Sequence, residues 1–129
     1  MTAEQPNSEG APMNATSYSI LAAVCRSCGV EQSEVLGSSR HYRVTMARAI
    51  AAYLMQRHTG MTSIKIAEAL GRPNHSSVLT SVKWLKALMT CTGETVEVSY
   101  GGRAVTLEHP TITIRAIARE LQLEADAVK

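Results

Sequence analysis

Four consecutive residues, Asn74, His75, Ser76 and Ser77, supply an amide, an imidazole and two hydroxyls. All of these groups donate and accept hydrogen bonds near neutral pH. They follow Gly71-Arg72-Pro73, which breaks a helical pattern, and they precede an apolar row at Val78, Val82, Leu85 and Met89, widened by Leu88. Asn74 reads as the N-cap of that second helix. Polar groups therefore stand at the free mouth of a helix whose later turns are anchored in a core. Such groups can meet base edges in a major groove, where Asn pairs bidentately with adenine and one such contact discriminates by roughly 1–3 kcal/mol. The mouth also offers unpaired backbone N–H groups and the positive end of the helix dipole, which suit a phosphate oxygen. The bland alternative is a plain helical hairpin in which Asn74 only caps and His75 is a surface residue.

Three arginines bracket the start of the longest helical pattern. Arg40 lies in the connector Gly37-Ser38-Ser39-Arg40-His41, and a flexible arginine can slide into a narrow minor groove. Arg43 opens the helix and, with Arg72 in the Gly-Arg-Pro turn, joins the candidate DNA contacts. Arg48, one turn on, is better placed for a phosphate, and each phosphate contact steepens the salt dependence of binding by about one unit of slope. Formal net charge is only +2, but it is unevenly spread: residues 35–93 hold eight bases and one acid, Glu68, between two acidic ends. A basic middle is the footprint of a polyanion partner.

The elements that must position these residues follow from periodicity. Residues 1–14 have almost nothing to bury and are expected to form a flexible leader. Thr16 or Ser17 caps a helix to about Ser27, with Ile20, Leu21, Val24 and Cys28 on one face. Ser33 to Leu36 is a single further turn. Arg43 to His58 is the longest helix, with Ala47, Ile50, Ala51, Leu54 and Met55 as its core stripe. Thr62 or Ser63 caps a short helix to about Leu70, with Ile64, Ala67 and Leu70 inward and Ile66 nearby. The helix from Asn74 to about Met89 then completes a helix-turn-helix. Past residue 93 the period changes to two: Thr95–Tyr100, a Gly101-Gly102 turn and Arg103–Leu107 predict a β-hairpin, followed by a helix from Thr113 to Leu123. The expected fold class is mainly α: a helical bundle with a helix-turn-helix over residues 15–92, then a hairpin-plus-helix extension over 93–129.

Composition excludes several classes. Aromatic residues are 4% of the chain and Phe is absent, against 45% hydrophobic residues. That suits close-packed helices better than a base-stacking sheet. Cys25-Arg26-Ser27-Cys28 is a lone C-x-x-C, and the third cysteine, Cys91, is distant, so neither a four-ligand zinc site nor a disulfide framework is implied. No phosphate-loop run, nucleophile elbow or carboxylate pair appears in the basic segment. No enzyme activity, catalytic residue, cofactor or metal is expected. With no secretory or membrane-spanning run, a cytoplasmic, nucleoid-associated location is expected.

Three stretches together give a resemblance to a known family. Val35-Leu36 with Arg40, Ala47-Arg48-Ala49-Ile50-Ala51-Ala52-Tyr53-Leu54, and Gly71 to Leu79 with Lys83 resemble the C-terminal, origin-binding domain of the bacterial replication initiator DnaA, over about Ile20 to Leu88. The resemblance implies an all-helical DNA-binding domain. It implies that Arg40 enters the minor groove, that Arg48 contacts a phosphate, and that His75, Ser76 and Ser77 meet bases and backbone in the major groove. It sets Lys83 near a backbone-facing position. Arg72 stands one place earlier than the family's arginine, and Pro73-Asn74 replaces its Arg-Asp, which implies a shifted sequence preference. The initiator's ATPase module is not in this sequence, so a stand-alone binding module is expected.

These observations lead to an expected function: a sequence-specific double-stranded DNA-binding protein of bacterial or phage type, modulating replication initiation or transcription. Residues 93–129 would pair two copies in a homodimer through a strand edge or the apolar side of the last helix. The alternative is an adaptor that engages a protein of the replication machinery without relying on DNA.

Overall fold

Val44 and the run Met46 to Met55 are all buried, so the helix that carries them must sit at the centre of a bundle. In the computed structural model, which describes residues 12–123 and side chains from Ser17 onward, it does. The elements in order are α1 (Pro12–Cys28), α2 (Gln32–Leu36), α3 (Tyr42–His58), α4 (Ser63–Ala69), α5 (His75–Met89), β1 (Thr95–Tyr100), β2 (Arg103–Glu108) and α6 (Pro110–Glu120). The central helix is α3, which packs against every other helix. Its expected stripe is buried, and so are Ala49, Ala52 and Tyr53 on its other sides. Small alanines let neighbouring helices approach it from several directions.

The leader expected over residues 1–14 lies outside the described residues up to residue 11; from Pro12 the backbone is already helical, ahead of the cap expected at Thr16 or Ser17. On α4 the inward set is Ile66, Ala67 and Leu70, whereas Ile64 is 58% exposed. Ile64 and Ile66 are two residues, about 200°, apart on a helix and cannot share a face. The α4–α5 turn is a Schellman closure: Arg72 N–H donates to Ala67 O (2.8 Å) and Gly71 N–H to Glu68 O (3.1 Å), with Gly71 at φ +67°.

The hairpin pairs β1 and β2 antiparallel, Thr95 opposite Glu108 and Tyr100 opposite Arg103. Val96 and Val98 face inward. After it, α6 begins three residues earlier than the sequence pattern suggests. Pro110 occupies the first turn, and His109 caps it by accepting from Thr111 N–H at Nδ1 (3.1 Å). The same buried ring bonds Cys91 O through Nε2 (2.7 Å), and the His109 backbone N–H donates to Glu94 O (2.8 Å). One histidine thus joins the end of α5, the hairpin and α6. Accepting at Nδ1 requires the proton on Nε2, which fixes the neutral tautomer.

The extension is part of the same core. Ile114 and Ile117 of α6 are fully buried and cluster with Val96 and with residues of α1, α3 and α5. The apolar side of α6, expected to meet a second subunit, is therefore occupied within the chain. An Arg26–Glu120 ion pair also links α1 to α6; both side chains are largely exposed, so it adds little stability.

Candidate nucleic-acid interface

The mouth of α5 is built by its cap. Asn74, in extended conformation, accepts at Oδ1 from Ser76 N–H (3.0 Å) and from the Ser76 hydroxyl (2.8 Å), and the Ser77 hydroxyl donates to Asn74 O (3.1 Å). Asn74 Oδ1 is taken up by the helix, so bidentate pairing with adenine, which needs that oxygen together with the amide NH₂, would break the cap. Ser76 and Ser77 keep acceptor lone pairs but have placed their protons. His75 is exposed and makes no hydrogen bond from its ring among the described residues. Of the four residues at this mouth, it is the one with both ring nitrogens available.

A groove runs from this mouth to the connector after α2. Ser76, Ser77, Thr80 and Ser81 line one wall; Ser38, Ser39 and Arg40 line the other. The α5 wall is a hydroxyl face, because residues four apart on a helix share a side. That spacing could have identified Thr80 and Ser81 from the sequence, which singled out only the first two serines. Thr45 was also missed; it borders the groove and donates weakly to Arg40 O (3.5 Å). The exposed Lys83 lies seven residues past Ser76, on the same side of α5 two turns on.

Two other arginines do a different job from the one the sequence suggests. Arg48 is only 8% exposed. Its Nε donates to Val35 O (2.8 Å), and its Nη2 donates to Glu34 O and Gly37 O (both 3.0 Å). Arg72 donates from Nε to Leu70 O (3.2 Å) and from Nη2 to Gly37 O. Two guanidinium groups, from α3 and from the α4–α5 turn, thus converge on the carbonyls that end α2. Helix C-termini leave such carbonyls without partners and carry negative dipole charge, so a cation fits there. Burial first, then the charge of Arg72, lowers the Arg48 guanidinium from its ordinary pKa. Both side chains border the groove floor, where they add positive charge while fixing the connector that carries Arg40. The Arg40 side chain itself is exposed and makes no hydrogen bond or ion pair among the described residues.

Arg43 is not brought to this groove. It lines a cleft of about 250 Å³ with Ser27, Cys28 and Glu108, none of which borders the Arg40 wall. One turn after Arg40, its side chain points toward the end of α1, with Nη1 3.9 Å from where a Cβ on Gly29 would stand.

Cys25 and Cys28 are free thiols, as is the exposed Cys91. Burial, then neighbouring Cys25 and Glu108, push the Cys28 thiol up to about 11 against the lowering pull of Arg43. Only the thiolate is a good nucleophile. Alkylation at about pH 8 should therefore label Cys91 first and Cys28 slowly, with the Cys28 rate climbing about tenfold per pH unit below its pKa; mass spectrometry of the time course checks this. Among the described residues, no group of three or more His, Cys, Asp or Glu could hold a metal ion, and no helix is long and apolar enough to cross a membrane.

A short helix, a tight Gly-Arg-Pro turn and a second helix with a polar, accessible mouth define a helix-turn-helix domain of the DNA-binding class. The family model described as bacterial DnaA protein helix-turn-helix matches residues 18–84. The chain belongs to that family. It is 33% identical over 82 residues to the chromosomal replication initiator protein DnaA of a Synechococcus species, covering 64% of this chain and 18% of that protein. The DnaA proteins of Bacteroides thetaiotaomicron and Rippkaea orientalis are 36% and 37% identical over 67 and 62 residues, covering 52% and 48% of this chain and 14% of each relative. The chain thus spans less than a fifth of the length of these relatives. The domain that the family defines is not itself catalytic. The hairpin and α6 lie beyond the matched residues.

Proposed function

We propose that this chain is a sequence-specific double-stranded DNA-binding protein that modulates replication initiation or transcription. In this reading the mouth of α5 enters a major groove and the Arg40 connector enters the adjoining minor groove. The observation that carries it is the Gly37 junction: Arg48 and Arg72 tie the connector to the helix-turn-helix. His75 and Arg40, whose side chains make no hydrogen bond or ion pair among the described residues, are thereby held on one rigid frame. His75 reads base edges, Ser76 and Ser77 accept from bases or orient water, and Lys83 meets a phosphate. Arg48 and Arg72 position the connector and lend charge to the floor. Asn74 caps α5, and Arg43 lies outside the contact surface.

Selection of bound duplexes from a random pool tests the proposal. The expected result is one enriched motif, related to initiator boxes but altered where Pro73-Asn74 replaces the family's Arg-Asp. A pool that stays random would contradict it and favour the adaptor reading. On the recovered site, His75→Ala should flatten the preference at one position by roughly 1–3 kcal/mol while leaving non-specific binding near its original level. Lys83→Ala should instead weaken binding to all sequences and reduce the salt slope by about 0.9. Fluorescence anisotropy across a salt series separates the two.

A further inference from the structure

The hairpin carries a feature the core does not require. Side chains two apart on a strand share a face, so Val96, Val98 and Tyr100 lie together with their cross-strand partners Leu107, Val105 and Arg103. The first two pairs cover the core: Val96 and Val98 are buried, and Leu107 and Val105 are partly so. At the tip the same inward face runs past the core and ends in Tyr100 and Arg103.

Tyr100 packs on the start of α3. Its ring centroid lies 5.2 Å from that of His41 and 5.1 Å from that of Tyr42, and those two rings stack at 4.3 Å. His41 directly follows Arg40. The hairpin tip is therefore held beside the connector that forms one wall of the groove. Arg103 is exposed there and has no hydrogen bond or ion pair among the described residues. The acids of the hairpin lie elsewhere. Glu94 and Glu108 are at its base, and Glu97, opposite Thr106, is on the outward face. Gly101 and Gly102 turn the chain with positive φ, and a Cβ on either would meet nothing within 4 Å. The tip is thus compact, open and positively charged.

We propose that the hairpin tip is a second DNA contact, in which Arg103 binds a backbone phosphate flanking the minor groove that Arg40 enters, with Tyr100 docking the tip on α3. This rests on the DNA-binding reading above and extends the contact surface past the residues that match the family.

The test is equilibrium binding of Arg103→Ala and Arg103→Lys to the selected duplex, carried a full helical turn beyond the site on each side. Arg103→Ala should bind roughly threefold to tenfold more weakly at low salt, with a slope shallower by about 0.9. Arg103→Lys, a point charge that still serves a phosphate, should restore most of that slope. On a duplex trimmed to the selected site, wild type and Arg103→Ala should converge. Thermal unfolding of both variants should match wild type, since the side chain is exposed. Wild-type affinity and slope for Arg103→Ala on the long duplex, while Arg40→Ala is weakened, would overturn the hairpin contact and leave the groove reading standing. Failure of the wild-type protein to bind any duplex would overturn that reading and the hairpin contact with it.

Discussion

Replacing Arg48 with alanine is expected to destabilise the protein by about 2–4 kcal/mol, through lost charge-assisted hydrogen bonds and a buried carbonyl left without its donor. The guanidinium makes three hydrogen bonds to the carbonyls of Glu34, Val35 and Gly37. Bonds from a charged donor are stronger than neutral ones, and each buried carbonyl left without a partner adds its own desolvation penalty. Arg72 also donates to Gly37 O, and Gly37 N–H donates to Glu34 O (3.2 Å), so those two carbonyls each keep a donor while Val35 O loses the one Arg48 supplied. Arg48→Lys should recover little, because an ammonium cannot reproduce the planar fork that reaches the three oxygens. Urea unfolding measures the stability loss. A variant that unfolds like wild type would show that the junction bears no load. Once refolded under stabilising conditions, Arg48→Ala should also bind DNA more weakly, because the Arg40 connector has lost its anchor.

Gly71→Ala strikes the same junction from the other side. Gly71 sits at φ +67°, and a Cβ there would stand 2.5 Å from Leu36 O. The left-handed conformation alone costs a non-glycine residue about 1–2 kcal/mol. The clash is with backbone, so a side-chain rotation cannot relieve it; the end of α2 or the α4–α5 turn must move. A total loss of about 2–4 kcal/mol is expected, read by urea unfolding. Gly101→Ala is the control: φ is +59° but the surroundings are open, so only the conformational part should remain. Equal losses at the two positions would mean that the approach of Gly71 to Leu36 is not tight in solution.

Much of this architecture was legible in the sequence because its signals are local. The Gly101-Gly102 turn fixed the hairpin register, Thr62 and Asn74 marked helix starts, and the three-and-four rows located α3 and α5. The misplaced details have physical causes. Ile64 and Ile66 compete for one face of a seven-residue helix, and a short element gives periodicity too few turns to decide. Histidine is an uncommon cap, so the start of α6 at Pro110 was read late. Periodicity identifies an apolar face but not its partner, which is why the α6 face was offered to a second subunit when α1, α3 and α5 cover it. The groove had the same limit. His75 and Arg40 stand out by residue type, but nothing local separates an arginine that reaches a phosphate from one that clamps carbonyls eleven to fourteen residues back, as Arg48 does. The contact of Tyr100 with His41 joins segments far apart in the chain and has no local signature.

In the proposed complex, one rigid frame presents the α5 mouth to a major groove and Arg40 to the neighbouring minor groove. Base-analogue interference on the selected duplex tests it most directly. Replacing purine N7 by carbon removes a major-groove acceptor and leaves the minor groove untouched. This substitution should weaken binding at the purine facing His75, the loss should disappear in His75→Ala, and a minor-groove ligand at the adjoining step should compete with wild type far better than with Arg40→Ala. Binding that tolerates N7 loss at every purine, with the minor-groove ligand equally effective against both proteins, would contradict it.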